Sequence, residues 1–154
     1  MMTDTSIELP HEDPCAFCDY LAGRRPYTIV CRTHLVAVLV TREQRGIGHV
    51  LVVPTRHCAT LLEATAPERH ALIDTVAAAA ARIDDVYERP GIAIWQNNGS
   101  PAHQAISHLH FHVAGTLPRG GTEFGTVPEL SVDETDDIAR NLTHPDRPPI
   151  CQQR

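Results

Sequence analysis

The sequence predicts an α+β fold with a mostly antiparallel sheet. Five short apolar runs have the length of strands, and a tight turn joins the first two as in a hairpin. One long stretch with helical periodicity separates the third run from the fourth. With 154 residues, 42% of them hydrophobic and 21% charged, the chain is long enough for one domain with a hydrophobic core.

The first half contains a short helix and three strands. CAFCDYLA predicts a helix over residues 15–22, ended by Gly23. The apolar runs predict strands at residues 28–31, 36–40 and 49–53. Pro54 stops the third strand because proline lacks the N–H that a sheet requires.

The second half begins with a long helix. Thr65 and Glu68 form a capping box, Pro67 suits the first turn, and residues 89–91 (RPG) end the helix. Strands are expected at residues 92–95 and 108–114, joined by the polar loop 96–107. Residues 1–14 are predicted to be a flexible tail. Residues 119–154 are predicted to be an irregular extension packed on the domain or on a dimer partner, with a short helix at 133–142.

The bulk composition excludes several classes of protein. The net charge of −6 argues against a binder of nucleic-acid polymers, although one phosphate needs only a local cradle. No apolar run reaches the length of a membrane span, and the acidic N-terminus does not have the pattern of a signal peptide. We therefore expect a cytoplasmic protein that does not act at a membrane. Its five cysteines are then expected to form no disulfide.

The segment SHLHFHVAG contains three histidines at two-residue spacing. In a strand, His108, His110 and His112 project from one face and apolar residues from the other. A solvated strand face and a catalytic three-histidine zinc site are possible alternatives. Three consecutive same-face positions do not converge easily on one ion. The favoured interpretation is nucleophilic attack on phosphorus by a neutral imidazole, with flanking histidines bonded to the phosphoryl oxygens.

Cys15 and Cys18 form a C-x-x-C pair that alone decides little. The pair is compatible with incidental thiols, a redox couple or half of a structural zinc site. A zinc site needs two further ligands, for which His57 and His108 are candidates.

Four segments, covering roughly residues 15–118, resemble the histidine-triad (HIT) family, in its bacterial branch with a C-x-x-C zinc site. They are CAFCDYLAGRRP, GHVLVVPTRH, NNGSPAHQ and HLHFHVA, in the expected order. The resemblance implies a HIT-like fold for this region: a five-stranded antiparallel sheet with one long helix and a short N-terminal helix. It further implies a homodimer and a structural zinc held by Cys15, Cys18, His57 and His108.

The resemblance also implies roles for individual residues. His110 would be the nucleophile, His112 would contact the phosphate, and His49 would support them by hydrogen bonding. The implied nucleotide-binding residues are Asn97, Gln104, Phe17, Leu39, Val40 and Thr41. Thr41 stands where many members carry an acidic residue that holds the ribose hydroxyls, and Ala105 stands where many carry serine.

The function that follows is hydrolysis or transfer of a purine nucleotide, an AMP or GMP derivative. The expected substrates are nucleoside 5′-phosphoramidates or adenylates, cleaved at the α-phosphorus through a nucleotidyl-histidine intermediate. Dinucleoside polyphosphate hydrolysis is the sibling alternative. A nucleotide-binding protein with little turnover and a hydrolase using zinc-bound water are two further alternatives.

Overall fold

The computed structural model describes residues 5–152 and contains one five-stranded sheet and three α-helices. The elements are α1 (Ala16–Leu21), β1 (Ile29–Arg32), β2 (Val36–Val40), β3 (Ile47–Pro54), α2 (Ala66–Tyr87), β4 (Ile92–Gln96), β5 (Phe111–Gly115) and α3 (Val132–Leu142). The strands are hydrogen-bonded in the order β1-β2-β3-β5-β4, and every neighbouring pair is antiparallel. The predicted fold class is confirmed.

The two faces of the sheet carry different layers. On one face, α2 covers an apolar cluster that includes Val52, Leu109 and Val113. On the other face, Phe17 of α1 packs with Leu39 and with other side chains of β2 and β3. Because side chains alternate along a strand, the apolar residues between the histidines fill the α2 layer while His110 and His112 face the side of α1.

The long helix α2 begins where the capping box predicts. The Thr65 hydroxyl accepts a hydrogen bond from the Glu68 N–H, and the Glu68 carboxylate accepts one from the Thr65 N–H. Arg56 makes two further hydrogen bonds to the same carboxylate. The helix ends at Tyr87, and the next residue, Glu88, adopts a left-handed conformation (φ 51°) just before the Arg-Pro-Gly sequence. The capping box therefore marks the start of α2, and the left-handed Glu88 marks its end.

The histidine strand is shorter than predicted. The structure begins β5 at Phe111, so His108, Leu109 and His110 precede the regular strand. The Leu109 N–H donates to the carbonyl of Cys58, and the His108 carbonyl accepts from the His110 ring instead of from a neighbouring strand. The prediction of a strand from residue 108 is therefore wrong at its first three positions.

The C-terminal extension returns to the first strand. The predicted short helix near residues 133–142 is present as α3, and Ile150 is buried in the α2-side cluster. The Arg82 guanidinium of α2 donates to the carbonyls of Leu142 and Pro148. These contacts anchor the segment that follows α3.

A disulfide joins Cys31 of β1 to Cys151, so the expectation of no disulfide is wrong. The two cysteines lie 120 positions apart in sequence, with their Cα atoms 5.8 Å apart. The expectation rested on the rarity of disulfides in proteins of reducing compartments, which is a frequency and not a property of this fold. The sequence does not show that the end of the chain folds back on β1 and brings Cys151 to Cys31.

Within residues 5–152, no helix is both long enough and apolar enough to cross a bilayer. Four residues of the predicted flexible tail and the last two of the chain lie outside the described residues. The tail's flexibility stays a prediction, but its described part contacts the domain. The backbone carbonyl of Glu8 accepts a hydrogen bond from the Ser100 N–H, and the backbone carbonyl of Pro10 accepts one from the Ser107 hydroxyl.

Candidate functional site

His110 lies at the centre of the site, with its ring held in one orientation. Its Nδ1 is 2.7 Å from the carbonyl oxygen of His108. A carbonyl can only accept, so Nδ1 carries the proton and Nε2 carries the lone pair. Phe17 packs edge-on against this ring, with centroids 5.2 Å apart. Burial lowers the pKa of His110, which keeps the imidazole neutral near pH 7.

A hydrogen bond from His49 determines which ring nitrogen of His112 carries the proton. The Arg45 N–H donates to His49 Nδ1 at 3.0 Å, so the His49 proton is on Nε2. That Nε2–H lies 3.0 Å from His112 Nδ1, which must accept. The neutral His112 therefore carries its proton on Nε2, where it is a hydrogen-bond donor for an anion. Burial is the main cause that lowers the pKa of His49 to about 3 and that of His112 to about 2.

The loop before β3 holds His49 in place. The Gln44 amide donates to the carbonyls of Thr41 and His49 and accepts from the His49 N–H. Gly48 has a φ of 65°, and a Cβ there would lie 2.6 Å from the Tyr87 ring. Gly48 lies at the irregular start of β3, where only glycine fits without moving Tyr87. Gln44, in the loop just before β3, was not singled out from the sequence.

Trp95 is a second residue that sequence analysis did not assign to the site. It pairs across strands with His112, and the two rings are stacked with centroids 4.6 Å apart and planes inclined by 4°. The flat indole therefore limits rotation of the His112 ring. The sequence does not show that Trp95 lies opposite His112, because this depends on the register in which β4 pairs with β5.

The predicted nucleotide-binding residues do not all lie together. Phe17 and Leu39 share the side of the sheet that carries His110. Val40 is buried on the α2 side, because adjacent strand residues point to opposite faces. The structure thus does not bring Val40 to a pocket with the other two. Thr41 is almost buried, and its hydroxyl accepts from the Glu43 N–H.

The polar loop residues bond mainly within the loop. The Gln104 side chain is buried, accepts from the Gly99 N–H and donates to the carbonyls of Ala59 and Ile106. Asn97 is partly exposed and donates to the carbonyl of Ala102. These bonds give the loop a fixed shape beside the histidines. Contact of either amide with a nucleotide stays a prediction.

The four predicted zinc ligands meet beside the histidines. One ligand atom from each of Cys15, Cys18, His57 and His108 lies within 4.8 Å of the others. His108 Nδ1 is 3.4 Å from the Cys15 sulfur, and His57 Nδ1 is 3.4 Å from the Cys18 sulfur. Two thiolates and two imidazoles are a donor set suited to a tetrahedral metal ion with no open position. This cluster could hold a metal ion.

His108 is oriented toward the cluster by a hydrogen bond on its far side. Its Nε2 is 2.8 Å from the carbonyl oxygen of Pro54, so Nε2 carries the proton and Nδ1 carries the lone pair. The ring is fully buried. Burial also lowers its pKa to about 4, which favours the neutral form that a metal requires.

Comparison with known proteins identifies the family. A family model of the HIT domain matches residues 22–118. The chain belongs to the HIT family. Proteins of this family bind and hydrolyse nucleotides.

Individual proteins of similar sequence or structure support this assignment to the HIT family. The chain is 31% identical to the protein hit of Bacillus subtilis over 122 aligned residues, and the aligned region covers 78% of this chain and 82% of that protein. It is 28% identical over 111 residues to the adenosine 5′-monophosphoramidase hnt1 of Schizosaccharomyces pombe, covering 72% and 78%. A zinc-bound histidine triad protein from Mycobacterium smegmatis has the same fold, with a TM-score of 0.71, 21% identity and coverage of 84% and 90%.

Proposed function

We propose that this protein cleaves nucleoside 5′-phosphoramidates or adenylates through a covalent nucleotide on His110. The observation that carries the proposal is the hydrogen bond from His110 Nδ1 to the His108 carbonyl. This bond leaves the Nε2 lone pair as the reactive atom of a neutral, buried imidazole. A neutral imidazole with a fixed lone pair is a good nucleophile toward phosphorus.

The first step forms the covalent intermediate. The Nε2 lone pair of His110 attacks the α-phosphorus, the bond from phosphorus to the leaving nitrogen breaks, and that nitrogen takes up a proton from solvent. The Nε2–H of His112 hydrogen-bonds a phosphoryl oxygen whose negative charge grows during attack. His49 and Trp95 keep the His112 ring in the orientation that this requires.

The second step releases the nucleotide. Water attacks the same phosphorus, the bond between phosphorus and Nε2 breaks, and the lone pair returns to His110. One proton is released to solvent, which balances the proton taken up by the leaving nitrogen. For a phosphoramidate, the products are therefore a nucleoside monophosphate and an amine, and the enzyme is restored; for an adenylate, the leaving group departs as a carboxylate and takes up no proton.

Phe17 and Leu39, to which the sequence assigns contact with the nucleoside, are fully buried beneath the side of the sheet that carries His110, so their direct contact with a nucleoside stays a prediction. Both side chains lie on the same side of the sheet as the His110 ring, and Phe17 contacts that ring directly. The name of the fission-yeast relative, adenosine 5′-monophosphoramidase, supports an adenosine substrate. An AMP or GMP derivative is therefore the substrate class that we propose.

The Cys15, Cys18, His57 and His108 cluster would hold a structural zinc ion. The chemistry of its donor set fits that ion, and all four ligand positions would belong to the protein. The bound zinc would supply a fixed cross-link between α1 and the segment that carries His108. It would thereby hold the backbone carbonyl to which His110 donates.

A homodimer is the assembly that we propose. In the sheet, β4 is an edge strand, and Ile94 on it is 50% exposed. Ile73 on α2 is also 56% exposed. An uncovered strand edge with exposed apolar side chains favours pairing with a second copy.

The test is intact-protein mass spectrometry after rapid mixing with adenosine 5′-phosphoramidate, together with measurement of AMP release. We expect an adenylate adduct in the natural protein and none in His110→Ala. His70→Ala is the matched control, because His70 is exposed on α2 away from the site. AMP release by His110→Ala at the natural rate would refute the mechanism. Binding of AMP with no turnover of this substrate would favour a binding protein, and turnover of dinucleoside polyphosphates alone would favour the sibling reaction.

A further inference from the structure

Two of the five cysteines keep a thiol within reach of solvent, and all five lie in the part of the chain that the structure describes. Cys31 and Cys151 are joined in the disulfide, and Cys58 is buried in the core. Cys15 and Cys18 are free and only partly buried. An oxidant that arrives from solvent therefore meets a thiol of the C-x-x-C pair before it meets any other thiol.

The metal cluster has an outer edge that faces solvent and an inner edge that does not. His57, at the outer edge, is exposed, and its Nδ1 lies 3.4 Å from the Cys18 sulfur. His108, at the inner edge, is fully buried, and its carbonyl accepts the hydrogen bond from the His110 ring. A small molecule such as a peroxide thus has access to the sulfurs from outside, while the far side of the same cluster adjoins the nucleophile.

The two thiols lie close enough to form a disulfide after a small movement. Cys15 is the N-cap of α1, and its sulfur accepts a hydrogen bond from the Cys18 N–H at 3.4 Å. The two sulfurs lie within 4.8 Å of each other. A disulfide needs Cα atoms less than about 7 Å apart, which residues three positions apart in a helical turn satisfy at about 5 Å. It also needs a sulfur separation of about 2 Å, so the first turn of α1 must tighten.

Phe17 lies between the two cysteines in sequence and connects this turn to the nucleophile. Its side chain is 1% exposed. Its ring packs edge-on against the rings of both His108 and His110, with centroids 5.6 Å and 5.2 Å apart. A closely packed interior has no free space in which to absorb a displacement of this ring. A change at the two sulfurs therefore alters the aromatic contact that holds the His110 ring.

We propose that Cys15 and Cys18 form a reversible oxidation site, at which a peroxide produces a disulfide that empties the metal cluster and displaces Phe17 from His110. A disulfide offers no thiolate, so only two imidazoles of the four-ligand set remain and the ion is no longer held. Reduction by a dithiol restores both sulfur ligands. The inference goes beyond the proposed function, and only its effect on turnover rests on that function.

The oxidation consumes two thiols and one molecule of hydrogen peroxide. One sulfur attacks a peroxide oxygen, the O–O bond breaks, and a sulfenic acid and one water form. The other sulfur attacks the sulfenic sulfur, the S–O bond breaks, and a second water leaves. Two electrons pass from the sulfur pair to the peroxide, and the two thiol protons end in the two waters. In the reverse direction the dithiol supplies two electrons and two protons and becomes a disulfide itself.

The test is a titration of the zinc-loaded natural protein with hydrogen peroxide, followed by three measurements. Mass spectrometry after alkylation and digestion locates each disulfide, a coloured chelator measures released zinc, and ¹⁵N NMR reports the state of the His110 ring. Cys58→Ala is the matched control, because it removes the buried free thiol and leaves the pair intact. Cys18→Ser leaves Cys15 without its partner.

We expect one disulfide between Cys15 and Cys18, with one zinc ion released for each disulfide formed, in the natural protein and in Cys58→Ala alike. The His110 ring signals should shift at the same peroxide dose, and a dithiol followed by zinc should restore them. Cys18→Ser should form no disulfide at this position. Because the dithiol also opens the Cys31–Cys151 bond, recovery is measured in the double alanine variant of that pair as well.

Three results would overturn the proposal. They are oxidation of Cys58 before the pair, conversion of the pair to sulfinic acids without a disulfide, and a disulfide that leaves the His110 signals unchanged. The first two and the last need neither zinc nor turnover, so they remain decisive if the protein takes up no zinc or cleaves no phosphoramidate. Where it does cleave the phosphoramidate, turnover should fall about tenfold or more on oxidation and return on reduction.

Discussion

His108 and His110 are two positions apart, yet the structure prepares them for different chemistry. Each ring donates one N–H to a backbone carbonyl. His108 donates from Nε2 to Pro54, which leaves Nδ1 facing the cysteine sulfurs. His110 donates from Nδ1 to His108, which leaves Nε2 as the lone pair. The comparison teaches that the carbonyl each ring meets, rather than the residue type, decides which nitrogen can react.

The largest expected effects come from replacing His110 and His108 by alanine, one at a time. His110→Ala should lower turnover of the phosphoramidate by at least about 10³-fold and keep the metal content, because only the nucleophile is lost. His108→Ala should lose the metal and lower the unfolding midpoint, because a structural zinc stabilises the fold directly. Metal analysis, thermal unfolding and AMP release measure all three quantities. A His108→Ala protein that keeps its zinc and its stability would break the comparison.

The support of His112 is the next difference to test. His49→Ala removes the donor that fixes the His112 tautomer, so we expect kcat to fall by about 10²-fold. Metal content should be unchanged, because His49 does not belong to the cluster. The matched control is His34→Ala, whose side chain is exposed. A loss confined to KM would indicate that His49 supports binding rather than the reaction.

Sequence reasoning succeeded where spacing alone carries the information. The alternation of histidines with Leu109, Phe111 and Val113 predicted the two faces correctly, and Thr65 with Glu68 predicted the start of α2. The four candidate metal ligands, drawn from three segments, do converge. These features depend on strand and helix periods or on motif spacing, which can be found in a linear sequence.

Sequence reasoning failed where distant contacts decide the outcome. The tautomers of His108 and His110 depend on which carbonyls lie beside the rings, and the start of β5 depends on the same bonds. The stacking of Trp95 needs the register between β4 and β5. The Cys31–Cys151 disulfide needs the return of the chain end to β1. No local pattern encodes any of these contacts.

The disulfide provides a change that should leave both histidines unaffected. Replacing Cys31 and Cys151 together by alanine should lower the free energy of unfolding by about 2–4 kcal/mol, because a cross-link over a long loop restricts the unfolded chain. Turnover and zinc content should remain at natural values. Denaturant unfolding with and without reductant measures the effect, and the double variant should not respond to reductant. A loss of zinc in the double variant would show that the C-terminal segment supports the metal side.

The smallest effect concerns the segment that carries His57. Its neighbour Arg56 bonds to Glu68, and this pairing is the main reason that the pKa of Glu68 falls to about 2. The folded-state pKa lies below the ordinary value, so the contribution to stability is complete above about pH 4.5 and is lost as the pH falls toward 2. Glu68→Gln should flatten this part of the stability profile and cost about 1–3 kcal/mol at neutral pH. Equal pH profiles for Glu68→Gln and the natural protein would contradict this account.

The most direct test of the comparison is ¹⁵N NMR of the histidine side chains in zinc-loaded protein near pH 7. We predict that His110 is neutral with its proton on Nδ1, and that His108 has its proton on Nε2 with Nδ1 bound to metal. The His110→Ala spectrum identifies the His110 signals by their absence. A His110 ring protonated on Nε2, or on both nitrogens, would contradict the account because no lone pair would then face the phosphorus.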